Sequence, residues 1–332
     1  MNVTTPIAPA ALADAALADA AVPPRFAGLR RSTAFYPLVG LIVVSVLMGF
    51  AGDAFLSIDN FVNILRQIAV VAIIAAGMTF VILSGGIDLS VGAVMALCGT
   101  VAAGLMAGGT TPSLAFAAAL LIGVAAGAVN GVLVAYARMP SIIVTLATMG
   151  IARGLALIYS GGYPIDGLPA WVSILGSGSV AALPVAGLIM VVVFVVAWIV
   201  LARTAFGRYV YAIGGNEAAT RLSGIRVGRA KLAVYLISGA TAAVAGLVMT
   251  SRLMSGQPNA GAGFELDAIA AVVLGGTAIA GGRGSVIGTL VGALLLGVLN
   301  NGLNMMGVDP YVQNVIKGGI ILLAIYIGRE RR

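Results

Sequence analysis

The stretch GMTFVILSGGIDLSVGAVMAL, residues 77–97, ends one long apolar run and begins the next. Between the two runs lie the pair Gly85-Gly86 and the polar residues Asp88 and Ser90. Paired glycines interrupt a helix and favour a tight reversal of the chain. An acidic or hydroxyl side chain after the break can accept hydrogen bonds from the unpaired N–H groups of the next helix. The stretch therefore predicts two neighbouring helices joined by a short turn.

Apolar runs of this kind continue on both sides of the stretch. A helix needs about 20 apolar residues to cross a bilayer, with a range of roughly 17 to 25. Ten segments reach or approach that length, and the eighth is the shortest. Their predicted bounds are 37–52, 64–84, 91–108, 112–137, 141–160, 184–202, 231–251, 266–282, 285–307 and 310–328. The pattern predicts an all-α integral membrane protein with ten transmembrane helices.

The composition indicates the same class of protein. Hydrophobic residues make up 61% of the 332 residues and charged residues only 9%, whereas an average soluble domain carries about 25% charged residues. The 46 glycines suit a membrane bundle, because small residues let helices approach each other closely in lipid.

Several kinds of function are disfavoured by what the sequence lacks. The chain has no histidine, and its single cysteine, Cys98, lies in an apolar run. No imidazole is therefore available as a metal ligand or general base. The net charge of +7 does not indicate nucleic-acid binding, because the basic residues lie in short loops between apolar runs, where they face lipid headgroups. We predict no metal site, no catalytic residues and no nucleic-acid partner.

The basic residues also predict the orientation of the chain in the bilayer. Lys and Arg are concentrated in the cytoplasmic loops of membrane proteins. If the N-terminus is cytoplasmic and ten spans alternate, 14 of the 18 basic residues lie on the cytoplasmic side. The other four, which lie within spans or near their outer ends, are Arg66, Arg153, Arg252 and Lys317. Both termini are therefore expected in the cytoplasm.

The residues before the first span are expected to form a separate segment. Ala11–Ala21 is low-complexity sequence, and two prolines follow it. A signal peptide would need a basic start and a longer apolar core. We therefore expect residues 1–34 to be a disordered cytoplasmic tail and residues 35–332 to be the transmembrane domain.

Four amide side chains in or near the spans are candidates for two roles. They are Asn130, Asn300, Asn301 and Asn304. An amide in a span commonly forms a hydrogen bond between helices, and the alternative role is a polar lining of a translocation path. Asn300 and Asn304 are four residues apart and therefore share one face of their helix.

Charged residues in or beside the spans allow similar alternatives. Asp88 either caps the helix that follows it or faces a water-filled path. Arg153 is expected deep in the fifth span, where Asp88 or Asp166 could pair with it, and Lys317 can extend outward toward the interface. The turn residues form a candidate site as a group: Gly85, Gly86, Asp88 and Ser90.

One polar and basic segment, Arg203–Lys231, interrupts the apolar pattern. Within it, the sequence NEAATRLSGI, residues 216–225, predicts a short helix. Asn216 can serve as its N-cap, Glu217 is favourable in its first turn, and Gly224 is a stop signal. Such a helix either rests on the lipid headgroups or docks a soluble partner.

Three segments in this order resemble the permeases of bacterial ABC importers for ribose, xylose, arabinose and galactose. They are residues 77–97, GRYVYAIGGNEAATRLSGI at 207–225, and AVVLGGTAIAGGRGSVIGTLVGALLLGVLNNGLNMMGV at 271–308. The resemblance extends over residues 35–328. It implies a ten-helix fold similar to the membrane subunit of the cobalamin importer, a place in the bacterial inner membrane, and the import of a pentose or hexose.

The resemblance also implies the partners. Permeases of this family form a dimer of identical or closely related copies and bind no nucleotide themselves. Two cytoplasmic ABC subunits bind and hydrolyse ATP, and a periplasmic binding protein delivers the sugar. The helix before the seventh span fits a cleft of the ATPase, a role that falls here on Asn216, Glu217, Ala218, Ala219, Arg221 and Gly224. Gly224 follows Glu217 by seven positions, whereas many ABC permeases have six.

The sequence disfavours an ATPase site in this chain. No Walker-type GxxxxGK[ST] occurs, and the glycine-rich GGTAIAGG, residues 275–282, has no Lys-Ser/Thr pair after it. That motif predicts close helix packing and a turn. We therefore expect a transport subunit that is no enzyme and holds no cofactor, with ATP bound by the partner.

Two alternatives stay open at this point. One is an ion-coupled secondary transporter of a small polar solute, which needs a carboxylate or a broken helix within the membrane. The other is an ABC permease for a different small solute, such as branched-chain amino acids or nucleosides.

Overall fold

A computed structural model describes residues 35–51 and 55–328. Residues 1–34, for which we predicted a cytoplasmic tail, lie outside this part of the chain. The described residues form thirteen α-helices, a 3-10 turn at Ala170–Val172 and one two-stranded hairpin. The elements are α1 (Phe35–Ala51), α2 (Ile58–Leu83), α3 (Val91–Ala107), α4 (Pro112–Ala135), α5 (Ser141–Ser160), α6 (Ser173–Ser177), β1 (Ser179–Val180), β2 (Leu183–Pro184), α7 (Val185–Arg203), α8 (Ala205–Gly215), α9 (Glu217–Leu222), α10 (Val227–Leu253), α11 (Phe264–Leu274), α12 (Val286–Met305) and α13 (Pro310–Gly328).

Six helices are long and apolar enough to cross a membrane, namely α2, α4, α5, α7, α10 and α12. Helices α1 and α3 are apolar and have 17 residues each, and α13 has 19 residues. Many large hydrophobic side chains on α4, α5 and α7 are exposed, as expected for helices that face lipid. The predicted all-α membrane class is therefore confirmed.

The eighth predicted span, residues 266–282, is wrong as a continuous helix. Helix α11 has 11 residues and ends at Leu274, and the chain is not helical again until α12. Gly276, Gly281 and Gly282 have φ angles of 83°, 88° and 74°, a conformation that glycine adopts far more readily than other residues. The predicted turn at GGTAIAGG is present. It ends the helix that the apolar pattern predicted to continue.

The polar segment Arg203–Lys231 contains more helix than we predicted. The short helix expected from NEAATRLSGI is α9, but a second helix, α8, precedes it. Thr204 is the N-cap of α8, and its hydroxyl accepts a hydrogen bond of 3.2 Å from the backbone N–H of Gly207. The segment is therefore a pair of short helices rather than a loop.

Two helices begin before their apolar runs. Helix α2 starts at Ile58 and α10 at Val227, whereas the predicted starts were 64 and 231. The Ser57 hydroxyl caps α2 by accepting a hydrogen bond of 3.2 Å from the Asn60 backbone N–H. The early turns carry polar residues, so the apolar pattern does not report them.

Helix α10 lies at the centre of the bundle, where it packs against α2, α3 and α4. Its buried residues lie on several sides of the helix and include Tyr235, Ser238 and Gly239. At its C-terminal end, α10 leads into a segment that joins the connection between α5 and α7. There Ile165 and Gly256 exchange backbone hydrogen bonds of 3.0 and 2.8 Å.

Helices α4 and α10 cross with their backbones in direct contact. Gly123 and Gly127 are four residues apart on α4 and face α10. A Cβ atom at Gly127 would meet the carbonyl oxygen of Tyr235, and one at Gly239 would meet the carbonyl oxygen of Gly123. Small residues at this crossing are therefore a steric requirement, as in other closely packed membrane helices.

We expect Gly127→Ala to lower the free energy of unfolding by about 1–3 kcal/mol, because the added methyl group overpacks the crossing. Thermal unfolding of the purified protein in detergent measures this. Gly150→Ala on α5 is the matched control, since a Cβ atom there meets nothing within 4 Å and alanine favours a helix over glycine. Equal melting temperatures for the two variants would contradict the role of the crossing.

Candidate functional site

The predicted docking helix, α9, is set by its own capping residues. The Asn216 side-chain oxygen accepts a hydrogen bond of 2.9 Å from the backbone N–H of Ala219. Gly224 follows the helix with φ of 81°. Both local signals read from the sequence therefore act as predicted. Thr220 is buried, whereas Ala218, Ala219, Arg221 and Leu222 are exposed.

Glu217 fastens α9 to the beginning of α10. Its carboxylate accepts a hydrogen bond of 2.6 Å from the Lys231 ammonium and one of 2.8 Å from the Arg221 guanidinium. The hydrogen bond from Lys231 is the largest influence that lowers the pKa of Glu217 below its ordinary value. The carboxylate is therefore ionised at neutral pH, and the ion pair with Lys231 joins the two helices.

Three glycine-rich segments meet beside these short helices. Gly214, near the end of α8, lies so close to Leu83 and Gly282 that a Cβ atom there would collide with both backbones. The backbone N–H of Gly282 donates a hydrogen bond of 3.0 Å to the carbonyl of Leu83. A Cβ atom on Gly281 would come within 2.9 Å of the Gly85 nitrogen. The end of α2, the end of α8 and the turn after α11 therefore form one contact.

A cleft of about 430 Å³ separates α9 from the predicted turn motif. Gly85 and Gly86 line one side, and Glu217, Arg221 and Lys231 line another. Ser84 and Tyr235 also line the cleft. The remaining lining residues belong to the α4–α5 connection or lie near it: Val134, Ala135, Arg138, Met139, Pro140, Ser141 and Ile142. The structure thus places Gly85 and Gly86 of the turn motif across one cleft from the predicted docking helix.

Asp88 lies deeper than the cleft and is only 1% exposed. One carboxylate oxygen accepts hydrogen bonds from the Ser90 backbone N–H at 3.0 Å and from the Ser90 hydroxyl at 2.6 Å. The other accepts a hydrogen bond of 2.7 Å from the Ser238 hydroxyl on α10. Asp88 therefore orders the residues that lead into α3 and ties them to α10.

Asn130 extends this hydrogen-bond network to two further helices. Its side-chain N–H donates to the Ser90 hydroxyl at 2.9 Å, and its oxygen accepts from the Thr148 hydroxyl at 2.6 Å. The network, which we call the Asp88 network, joins the N-terminus of α3 to α4, α5 and α10 through Asp88, Ser90, Asn130, Thr148 and Ser238. Among the candidate path residues, Asn130 is thus placed inside a packed interface.

The remaining three amides occupy different environments. Asn301 and Asn60 exchange two hydrogen bonds of 2.9 Å across α12 and α2. The Asn304 oxygen accepts a hydrogen bond of 2.8 Å from Gln313 on α13. The buried oxygen of Asn300 has no hydrogen-bond partner among the described residues, and this side chain lines a small cavity.

Arg153 does not pair with Asp88 or Asp166, the two carboxylates suggested as its partners from the sequence. Its guanidinium donates hydrogen bonds of 2.6 and 3.0 Å to the carbonyls of Pro258 and Ala260. Arg153 therefore holds the connection between α10 and α11. Backbone carbonyls carry no sequence signature, so this pairing could not be predicted.

Two charged residues that take part in these contacts were not predicted from the sequence. The role of Lys231 as the partner of Glu217 depends on the geometry of the connection between α9 and α10. Asp267, on α11, lies 3.4 Å from the Lys317 ammonium. Asp267 lies inside the predicted eighth span, and an acidic residue in an apolar run was a signal that could have identified it.

The known proteins that resemble this chain are all permease components of transport systems. A family model described as branched-chain amino acid transport system/permease component matches residues 60–325. The chain is 48% identical to the ribose import permease protein of Bacillus subtilis, over 89% of this chain and 92% of that protein. It is 47% identical to the ribose import permease protein of Escherichia coli, over 89% and 93% of the two chains. The D-allose transport system permease protein of Escherichia coli is 39% identical, over 87% and 89%. No solved structure matches the chain.

The family match covers most of the chain, and the relatives align over nearly the full length of both partners. The apolar helices of the structure agree with this assignment. The chain therefore belongs to the branched-chain amino acid transport system/permease component family, as a multi-pass membrane permease subunit of an ABC transporter whose ATPase is a separate subunit.

Proposed function

We propose that this permease carries ribose, or a closely similar monosaccharide, across the bacterial inner membrane into the cytoplasm. The observation that carries the proposal is the similarity to ribose import permeases over 89% of the chain. The D-allose relative supports a sugar as the class of substrate. The few charged residues of the apolar helices suit a neutral solute better than an ionic one.

The proposed topology has ten crossings with both termini in the cytoplasm. The distribution of 14 of 18 basic residues supports this orientation. The short α11 is compatible with it, because the chain after α11 continues to Gly282, which bonds to Leu83 at the end of α2. An eighth crossing would then consist of a short helix followed by glycine-rich backbone. Such backbone is tolerated at membrane depth when protein surrounds it.

The ATPase would act on the permease through α9. Its exposed surface offers Ala218, Ala219, Arg221 and Leu222 to a partner, and Leu222 is 89% exposed. A large apolar side chain presented this fully on a short polar helix suits insertion into a cleft of another protein. Because Glu217 binds Lys231, a movement of α9 would be passed directly to α10.

The proposed assembly contains two permeases, two ABC ATPase subunits and a periplasmic sugar-binding protein. Each ATPase subunit needs a docking helix, and each permease carries one. The second permease is either an identical copy or a close paralogue. A fold similar to the membrane subunit of the cobalamin importer, as the family resemblance implies, is part of the same proposal.

The direct test is uptake of labelled ribose into liposomes that contain the permease and the ABC ATPase of the same organism. The binding protein is supplied on the periplasmic side of the transporter and ATP on the side of the ATPase. We expect ATP-dependent accumulation of ribose and none of leucine, the substrate class named by the family description. Accumulation of leucine would overturn the substrate. Uptake without the ATPase, driven by a sodium or proton gradient, would favour the secondary transporter instead.

Labelling of single cysteines tests the topology. Native Cys98 is fully buried and should not react, so Tyr163→Cys and Leu222→Cys can be compared directly in intact cells. Both native side chains are well exposed. We expect a membrane-impermeant maleimide to label position 163 in intact cells and position 222 only after the inner membrane is opened. The reverse pattern would contradict the orientation.

Replacing Lys231 tests the connection between α9 and α10. The Lys231 and Glu217 side chains are 19% and 39% exposed. A partly exposed ion pair is worth up to about 1 kcal/mol, and about 1 kcal/mol changes an equilibrium roughly fivefold. We therefore expect Lys231→Met to reduce ribose uptake about fivefold while the ATPase still co-purifies with the permease. Lys231→Arg retains the charge and is the matched control. Normal uptake by Lys231→Met would show that the ion pair has no part in coupling.

A further inference from the structure

Four polar side chains from four helices meet at one place among the apolar helices. They are Gln67 on α2, Asp267 on α11, Asn300 on α12 and Lys317 on α13. The first three line a cavity of about 50 Å³. Its other lining residues are apolar: Ile68, Val71, Ala293, Leu296 and Gly297. We call Gln67, Asp267 and Asn300 the polar triad.

Gln67, Asn300 and Lys317 lie inside the helices that carry them, whereas Asp267 lies in the first turn of α11. At 1.5 Å per residue, Gln67 is about 14 Å along the axis from the beginning of α2. By the same measure Asn300 is about 8 Å from the end of α12, and Lys317 is about 10 Å from the beginning of α13. All of these distances are taken from the same end of the bundle, where α2 and α13 begin and α12 ends, as the Asn60–Asn301 and Gln313–Asn304 hydrogen bonds show. Polar groups at this depth are costly, and in membrane proteins they mark the routes of polar solutes.

Asn300 is the member of the triad with unused bonding capacity. Its buried oxygen has no hydrogen-bond partner among the described residues, whereas the oxygens of Asn130, Asn301 and Asn304 each accept a hydrogen bond. An unpaired buried acceptor is unfavourable, because it has lost its hydrogen bond to water without a replacement. A donor from a ligand or a water molecule would remove that cost. Asn300 therefore differs from the other amides in a way that packing does not explain.

Lys317 pairs with the carboxylate of the triad. Its ammonium lies 3.4 and 3.5 Å from the two oxygens of Asp267. The two side chains are only 17% and 20% exposed. A carboxyl group offers several acceptor lone pairs, so Asp267 can accept further hydrogen bonds at the wall of the cavity.

The chemistry of the triad matches a hydroxylated solute. A carboxylate accepts hydrogen bonds, and each amide both donates and accepts them, as neighbouring sugar hydroxyls also do. A cavity of about 50 Å³ exceeds the space of roughly 10–15 Å³ that one water needs by this measure. It is too small for a whole monosaccharide. One or two hydroxyl groups of a solute passing beside the triad can enter it.

We propose that Gln67, Asp267 and Asn300 form a binding site for the hydroxyl groups of a neutral polyol or sugar on the translocation path, with Lys317 positioning Asp267. The proposal rests on the function proposed above and specifies where the solute touches the permease. It does not extend to a metal ion, because the Lys317 ammonium repels a cation at Asp267.

Asn300→Leu tests the site, since leucine keeps a similar volume and removes both polar groups. In the complete transporter we expect ribose uptake to fall about tenfold, the effect of about 1.4 kcal/mol. Binding-protein-stimulated ATP hydrolysis and co-purification of the ATPase are expected to stay near normal, because the site lies away from α9. Gln67→Leu should act in the same direction. Asn314→Leu, an exposed amide on α13, is the matched control and should transport normally.

A second measurement covers the case in which a leucine variant fails to fold. Asn300→Ser removes bulk and keeps a hydroxyl. We expect its uptake to lie between that of the wild type and the tenfold-reduced level predicted for Asn300→Leu. Normal uptake by Asn300→Leu and Gln67→Leu would overturn the site, as would an equal loss in Asn314→Leu. If the wild type itself accumulates no ribose, the proposed function has failed rather than the site.

Discussion

Helix α10 can occupy the centre of this bundle only because glycines let neighbouring backbones touch it. In lipid, apolar surface is as well accommodated by acyl chains as by another helix, so association depends on close packing and on hydrogen bonds. At the crossing of α4 and α10 a Cβ atom on Gly127 or Gly239 would collide with a backbone carbonyl. A Cβ atom on Gly77 of α2 or on Gly99 of α3 would collide first with a side-chain hydroxyl of α10, that of Thr241 or of Thr250. The positions of α2, α3 and α4 therefore follow from contact with α10.

The buried polar groups reinforce this arrangement. The Asp88 network joins the N-terminus of α3 to α4, α5 and α10 through hydrogen bonds of 2.6 to 3.0 Å. At its N-terminal end α10 carries Lys231, which binds Glu217 of α9. A displacement of α9 would therefore act on a helix that three others contact closely. With the ATPase docked on α9 as proposed, this continuity would give a physical route from that subunit to the membrane helices.

Local features of the sequence predicted local structure well. Asn216 and Gly224 bound α9 because a cap and a glycine stop act through the nearest backbone groups. The eighth span was wrong because hydropathy counts apolar residues and does not register the positive φ angles of Gly276, Gly281 and Gly282. Contacts between distant residues lay beyond prediction. The pair Asp267–Lys317 joins residues 50 positions apart, and only the packing of α11 against α13 brings them together.

The most direct measurement concerns whether α9 and α10 move together. Spin labels at Leu222 and Arg229, both exposed, in one copy of an assembled transporter would report the distance between the two helices with and without ATP. A second sample, labelled at Leu222 in both copies, would report the separation of the two docking helices. The account predicts that ATP changes the separation between the copies and leaves the Leu222–Arg229 distance unchanged. A shift of the Leu222–Arg229 distance on ATP binding would contradict it, because α9 would then move independently of the helix that the bundle is built around.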